Sequence, residues 1–90
     1  MVGSRGGPTR CRILLALMER PMNKRQLSLH LGLNYKTVEK HVKILEDNGL
    51  IEQPSPGAYG SPYFLTRVAM DNRDLLLRLI RESLGDEAPW

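Results

Sequence analysis

The chain has 90 residues, 41% of them hydrophobic and 26% charged, and carries 13 Lys and Arg against 10 Asp and Glu for a formal net charge of +3. That length holds one small domain with a limited core, which disfavours an enzyme built around a deep pocket, and no apolar run approaches the length that crosses a bilayer. A single cysteine, Cys11, excludes an intrachain disulfide and a cysteine-based metal cage, as suits a reducing cytoplasm.

The first eight residues, MVGSRGGP, combine three glycines with a proline and Arg5 and read as a flexible basic arm. The apolar stretch at 13–18 is short and lacks a small-residue cleavage site, so no secretion signal is expected. A first helix is expected from a Thr9 cap to about Glu19, burying Ile13, Leu14, Leu17 and Met18 and stopped by Pro21. Asn23 followed by Gln26 resembles a capping box and opens a second helix over KRQLSLHLG, with Leu27 and Leu31 on one face and Gly32 at its end. After a connection of only GLN, Asn34 caps a third helix. It places Val38, Val42 and Leu45 at i, i+4, i+7 on one buried stripe and ends at Asn48-Gly49. Leu50 and Ile51, then the Pro- and Gly-rich EQPSPGAYGSP, then YFLT predict a hairpin with a long tip. A last helix follows, capped by Asp71 or Asn72 and closed by Gly85, with Leu75, Leu76, Leu79, Ile80 and Leu84 on a broad apolar face. The expected class is α+β, mostly α. The arm occupies residues 1–8, the main domain 9–67, the last helix 68–85 and a tail 86–90.

Two short helices joined by a tight turn let the second protrude, and a helix fits the major groove of B-form DNA. On the third helix Lys36, Lys40 and Lys43 recur at i, i+4, i+7 opposite the apolar stripe, with Tyr35 and Glu39 beside them. Its outer face is therefore cationic. Lysine donates to guanine O6 and N7 or bridges phosphates, and the helix start at Asn34 and Tyr35 adds backbone donors. Tyr35 suits a thymine methyl or a phosphate; Glu39 either accepts from a cytosine amine or pairs with Lys43 at i, i+4. The charge distribution agrees, because residues 1–45 hold nine basic residues against two acids (+7) and residues 46–90 hold four against eight (−4). A merely solvated lysine face is the plain alternative.

Leu27, Leu31, Leu33, Thr37, Val38, His41, Val42, Leu45, Gly49, Leu50 and Ile51 resemble the winged helix-turn-helix pattern of ArsR-type and MarR-like regulators, short archaeal members in particular. The resemblance covers residues 9–67 and is most specific in LNYKTVEKHVKILEDNGLI. It implies a winged helix-turn-helix: a three-helix core, a β-hairpin wing and a C-terminal helix. Residues 34–48 would form the recognition helix, Thr37 would brace it against the second helix or a phosphate, and Gly49 would turn the chain into the wing. Two departures matter. The wing tip PSPGAYGSP holds no Lys or Arg, leaving Tyr59 or backbone amides for any phosphate contact there. The stretch QLSLHLGL lacks the paired cysteines of the metal-sensing members, so neither metal nor cofactor is expected.

The expected groove residues are Tyr35, Lys36, Glu39, Lys40 and Lys43. The expected phosphate contacts are Arg10, Arg12, Lys24, Arg25, Asn34, Thr37, His41 and Tyr59, with packing beside Val38 as the alternative for His41. Cys11 reads as a small apolar filler, with redox sensing as its alternative. His30 and His41 complete no metal site, and no catalytic set can be assembled, so no enzyme is expected. The apolar face of Leu75, Leu76, Leu79 and Ile80 predicts dimerisation, unless it simply closes the monomer core. These features together predict a cytoplasmic, nucleoid-associated homodimer that binds double-stranded DNA sequence-specifically and regulates transcription. A winged-helix module that docks an acidic protein without binding DNA is the second reading, and structured RNA, with few and scattered aromatics to stack on, is the third.

Overall fold

Local capping decides where several helices of this chain start and stop. The computed structural model describes residues 7–57 and 60–84. Within them run α1 (Gly7–Glu19), α2 (Lys24–Leu31), α3 (Tyr35–Asp47), β1 (Ile51–Glu52), β2 (Phe64–Leu65), α4 (Arg67–Asp71) and α5 (Arg73–Leu84). The first six residues of the arm, Tyr59, the expected stop at Gly85 and the tail at 86–90 lie outside the described residues.

Asn23 Oδ1 accepts from the Gln26 N–H at 2.8 Å while Gln26 Oε1 accepts from the Asn23 N–H at 2.9 Å, completing the capping box that opens α2. At its end Gly32 adopts φ 65°; its N–H and that of Leu33 both reach the Ser28 carbonyl, and Ser28 Oγ donates to the Leu33 carbonyl at 2.6 Å. The turn between the two helices is thereby closed on itself. Asn34 caps α3 through the Lys36 N–H at 2.8 Å. At the far end the Gly49 N–H donates to Glu46 and the Leu50 N–H to Leu45, the two bonds of a Schellman turn, with Gly49 at φ 71°.

Three expectations need correction. Thr9 does not cap α1, because Gly7 and Pro8 already belong to the helix. Proline fits a first turn, where its missing N–H would have had no helical partner. Thr66 is not a strand residue: its hydroxyl accepts from the Ala69 N–H at 3.2 Å and opens α4, a short helix not foreseen, while donating to the Gly49 carbonyl at 2.7 Å. Neither Asp71 nor Asn72 provides a side-chain cap for α5, since Asp71 ends α4 and the Asn72 side chain donates back to the Val68 carbonyl at 2.8 Å.

The hairpin is short and antiparallel, with Ile51 opposite Leu65 and Glu52 opposite Phe64. Beside it the Tyr63 N–H donates to the Met22 carbonyl at 2.8 Å, which joins the segment before α2 to the base of the wing. α1 lies at the centre and touches α2, α3, β2 and α5. Its Cys11, Ile13, Leu14 and Leu17 merge with Met22, Leu27, Val38, Val42, Leu45, Ile51, Tyr63, Ile80 and Leu84 in one buried cluster, against which half-buried Met18 packs. The result is a mostly helical winged helix-turn-helix.

Candidate nucleic-acid interface

With Val38, Val42 and Leu45 held in the core, the opposite side of α3 carries Tyr35, Lys36, Glu39, Lys40 and Lys43, all exposed. Their charges are not equivalent. Lys43 Nζ lies 3.5 Å from Asp47 Oδ1, one turn on. Glu39 does not pair with Lys43, contrary to the i, i+4 alternative; its Oε2 lies 3.6 Å from Nζ of Lys24, on α2. Among the described residues Lys36 and Lys40 carry no ion pair. The Lys43–Asp47 pair, exposed on both sides, contributes only about 0–1 kcal/mol.

The expected phosphate contacts divide by position. Arg25 at the start of α2 and Arg12 on α1 are exposed, Lys24 and Thr37 are half-buried, and Asn34 is exposed with its side-chain oxygen engaged in the cap of α3. Arg10 and His41 are placed inside and cannot reach a phosphate. They are 4% and 8% exposed, and Arg10 Nη1 lies 3.1 Å from His41 Nδ1. A guanidinium only donates, so Nδ1 accepts and the neutral imidazole carries its proton on Nε2. Burial, followed by the charges of Arg10 and Lys40, pushes the His41 pKa below its ordinary value. Helical periodicity held the signal for both. Arg10 precedes Leu14 and Leu17 at i+4 and i+7, and His41 falls three residues after Val38 and four before Leu45, so each lies on a buried stripe.

The wing is tied to the start of α2. Asn23 Nδ2 donates to the Gly60 carbonyl at 3.3 Å, and Gln53 Nε2 donates across the tip to the Ser61 carbonyl at 2.8 Å. Between α2, Tyr35 and the wing lies an open hollow of about 900 Å³, with Lys24, Arg25, Ser28 and Gln53 on its walls. Leu29, also on its wall, is 74% exposed, as its place two residues from both Leu27 and Leu31, on the opposite side of α2, requires.

The last helix divides between the two readings given for it. Leu76 and Ile80 are buried within this one chain, because the 76, 80, 84 stripe of α5 turns inward and α5 packs on α1. At these two positions the packing is that of the alternative reading, closure of the monomer core. Leu75 is 50% exposed and Leu77 and Leu79 are half-buried.

Cys11 is fully buried, and burial raises its thiol pKa against the smaller lowering effects of Ser83 and Arg10. That is the environment of a packing residue. Among the described residues no group of three or more His, Cys, Asp and Glu side chains is placed to hold a metal, and no helix is long and apolar enough to cross a membrane.

Residues 7–53, just over half the chain, match the family described as bacterial regulatory protein, arsR family. The HTH-type transcriptional regulator CmtR of Mycobacterium tuberculosis, and likewise that of Mycobacterium bovis, is 46% identical over 44 residues, a match that covers 49% of this chain and 37% of the relative. The chain thus spans little more than a third of the curated relatives it matches. Among solved structures, wild-type ZitR of Lactococcus lactis in complex with DNA superposes with a TM-score of 0.67 at 20% identity, covering 88% of this chain and 56% of that one. The transcriptional repressor BigR from Xylella fastidiosa gives 0.66 at 20% identity, covering 92% and 79%. These relatives are bacterial, and the expected leaning towards archaeal members finds no support among them. The arsR match across the helix-turn-helix, together with the fold those solved regulators share, places the chain in the ArsR family of winged helix-turn-helix regulatory proteins.

Proposed function

We propose that the chain binds double-stranded DNA sequence-specifically and regulates transcription as a homodimer, with α3 in the major groove. The observation that carries this reading is the division of α3 into two faces. The inner stripe is fully buried, while Lys36 and Lys40 stand on the outer face with no acidic partner among the described residues. Tyr35 stands at the helix start, where thymine methyls or phosphates are in reach, and Arg25, Arg12, Asn34, Thr37 and Tyr59 are the candidates for flanking phosphates. The DNA complex of the structural neighbour ZitR supports the partner class, and CmtR's description as a transcriptional regulator supports the role.

Dimerisation rests on a narrower surface than the sequence suggested. Leu75 and, one turn on, Leu79 are the apolar side chains of α5 that the single chain leaves open or half-covered, with Leu77 beside them. Two-fold symmetry would place two copies of α3 about 34 Å apart, or at a multiple of that distance, on a pseudo-palindromic site. No cofactor, metal or catalytic activity is part of this reading, and its setting is the cytoplasm.

Selection of bound sequences from a random duplex pool tests partner, symmetry and spacing together. The expected outcome is an enriched inverted repeat whose affinity falls by orders of magnitude between about 50 and 200 mM salt. Recovery of no preferred sequence, with salt-insensitive retention, would instead point to a protein-docking module.

A further inference from the structure

The start of α2 is where the recognition helix and the wing meet. The cap residue Asn23 reaches the Gly60 carbonyl, and the preceding Met22 carbonyl takes the Tyr63 N–H. Lys24, the first residue of α2, extends instead to α3, with Nζ 3.6 Å from Glu39 Oε2. Its side chain is only 29% exposed, against 55% for that of Glu39. Burial alone would push the Lys24 ammonium down, but Tyr63, Tyr35 and Glu39 together outweigh it and hold the pKa above its ordinary value. Lys24 therefore already has a carboxylate partner within the protein at ion-pair distance. Arg25, next in the chain, is exposed.

Glu39 gains most from this arrangement. A lone carboxylate between Lys36 and Lys40 would repel the phosphates those lysines attract, and on a long side chain it would sample several rotamers. The ammonium of Lys24 beside Oε2 offsets part of that charge and favours the rotamer that keeps the two groups together. The second oxygen, Oε1, is left to accept a hydrogen bond, which is the chemistry a cytosine N4 amine presents in the major groove.

We propose that Lys24 is a positioning residue: by holding Glu39 from across the helix-turn-helix it fixes that carboxylate as the acceptor for a cytosine amine, and so sets sequence preference rather than phosphate affinity. This rests on the DNA-binding reading above.

The test uses the full chain and two duplexes, the sequence preferred by the wild type and a scrambled version, with dissociation constants measured across a salt series. Lys24→Met is expected to leave the salt slope and the scrambled-duplex affinity unchanged while the preference ratio drops roughly tenfold, as for one lost base contact. Glu39→Ala should lower the ratio by a similar factor, and the double variant no further, because both act through one contact. Lys24→Arg, which keeps a cation for Glu39, should retain the ratio. Equal weakening on both duplexes with a salt slope smaller by about one would make Lys24 a phosphate contact and overturn the proposal. An unchanged ratio in Glu39→Ala, an exposed position whose truncation leaves the packing of Lys24 in place, would overturn it too. Wild-type protein that binds neither duplex fails the DNA-binding reading itself, a result distinct from any of these.

Discussion

Arg10 of α1 and His41 of α3 meet inside the domain, Nη1 to Nδ1 at 3.1 Å, and fasten α3 to α1 on the side away from its exposed lysines. Both residues are nearly inaccessible. A cation that charge alone would assign to a phosphate is instead committed to a contact between two helices inside the domain. Because the guanidinium only donates, the arrangement requires a neutral imidazole.

That requirement makes stability depend on pH. His41 has a folded pKa below its ordinary value of 6.5, so the unfolded chain takes up the proton first. Its contribution is present above about pH 6.5 and is lost as pH falls towards the lower folded value. Denaturant midpoints should therefore decline between about pH 7.5 and 5.5, and His41→Gln, which keeps an acceptor for Arg10, should decline less. A variant with the wild-type slope would remove His41 from the account.

The lysines of α3 should differ in their effect on DNA binding. Lys36→Ala and Lys40→Ala are each expected to weaken duplex binding roughly three- to tenfold and to reduce the salt slope by about one. Lys43→Ala should cost less, since Asp47 at 3.5 Å already compensates its charge, and Asp47→Asn should strengthen binding slightly. Anisotropy titrations across a salt series would show whether the three positions separate in this order.

Gly49→Ala isolates a backbone effect. The residue has φ 71°, and a Cβ placed there meets nothing within 4 Å, so only the left-handed conformation is penalised. The expected loss is about 1 kcal/mol by chemical denaturation, with the cooperativity of unfolding preserved. A loss several times larger would mean that the turn into the wing moves with the substitution.

Two residues of α5, five positions apart, should behave in opposite ways. Leu75→Glu alters an exposed side chain and should shift the protein towards monomer in sedimentation without lowering its melting temperature at low concentration. Ile80→Ala removes a buried side chain and should cost about 2–5 kcal/mol in any association state. Unchanged association in Leu75→Glu would send the search for a dimer surface elsewhere.

Much of this fold could be read directly from the residues. The capping box at Asn23 and Gln26, the left-handed turns at Gly32 and Gly49, and the buried stripe of Val38, Val42 and Leu45 each depend on contacts within about four residues, which a sequence displays openly. The same spacing brought Tyr35, Lys36, Glu39, Lys40 and Lys43 to one face. Thr66 was harder, because a threonine after two aromatic or apolar residues is equally at home ending a strand or opening a helix.

The sequence by itself determined α2 and α3 with their ends and the face on which the lysines of α3 stand, since these follow from backbone hydrogen bonding and helical period. Only the tertiary structure decided which charged and apolar side chains remain available to a partner. Arg10 finds His41 31 residues away, Lys24 finds Glu39 across the helix-turn-helix, and Leu76 and Ile80 turn inward on α5 where it packs on α1. A helical wheel orders side chains around one axis; which of its sides meets another element depends on chain folding over distances that local periodicity does not encode.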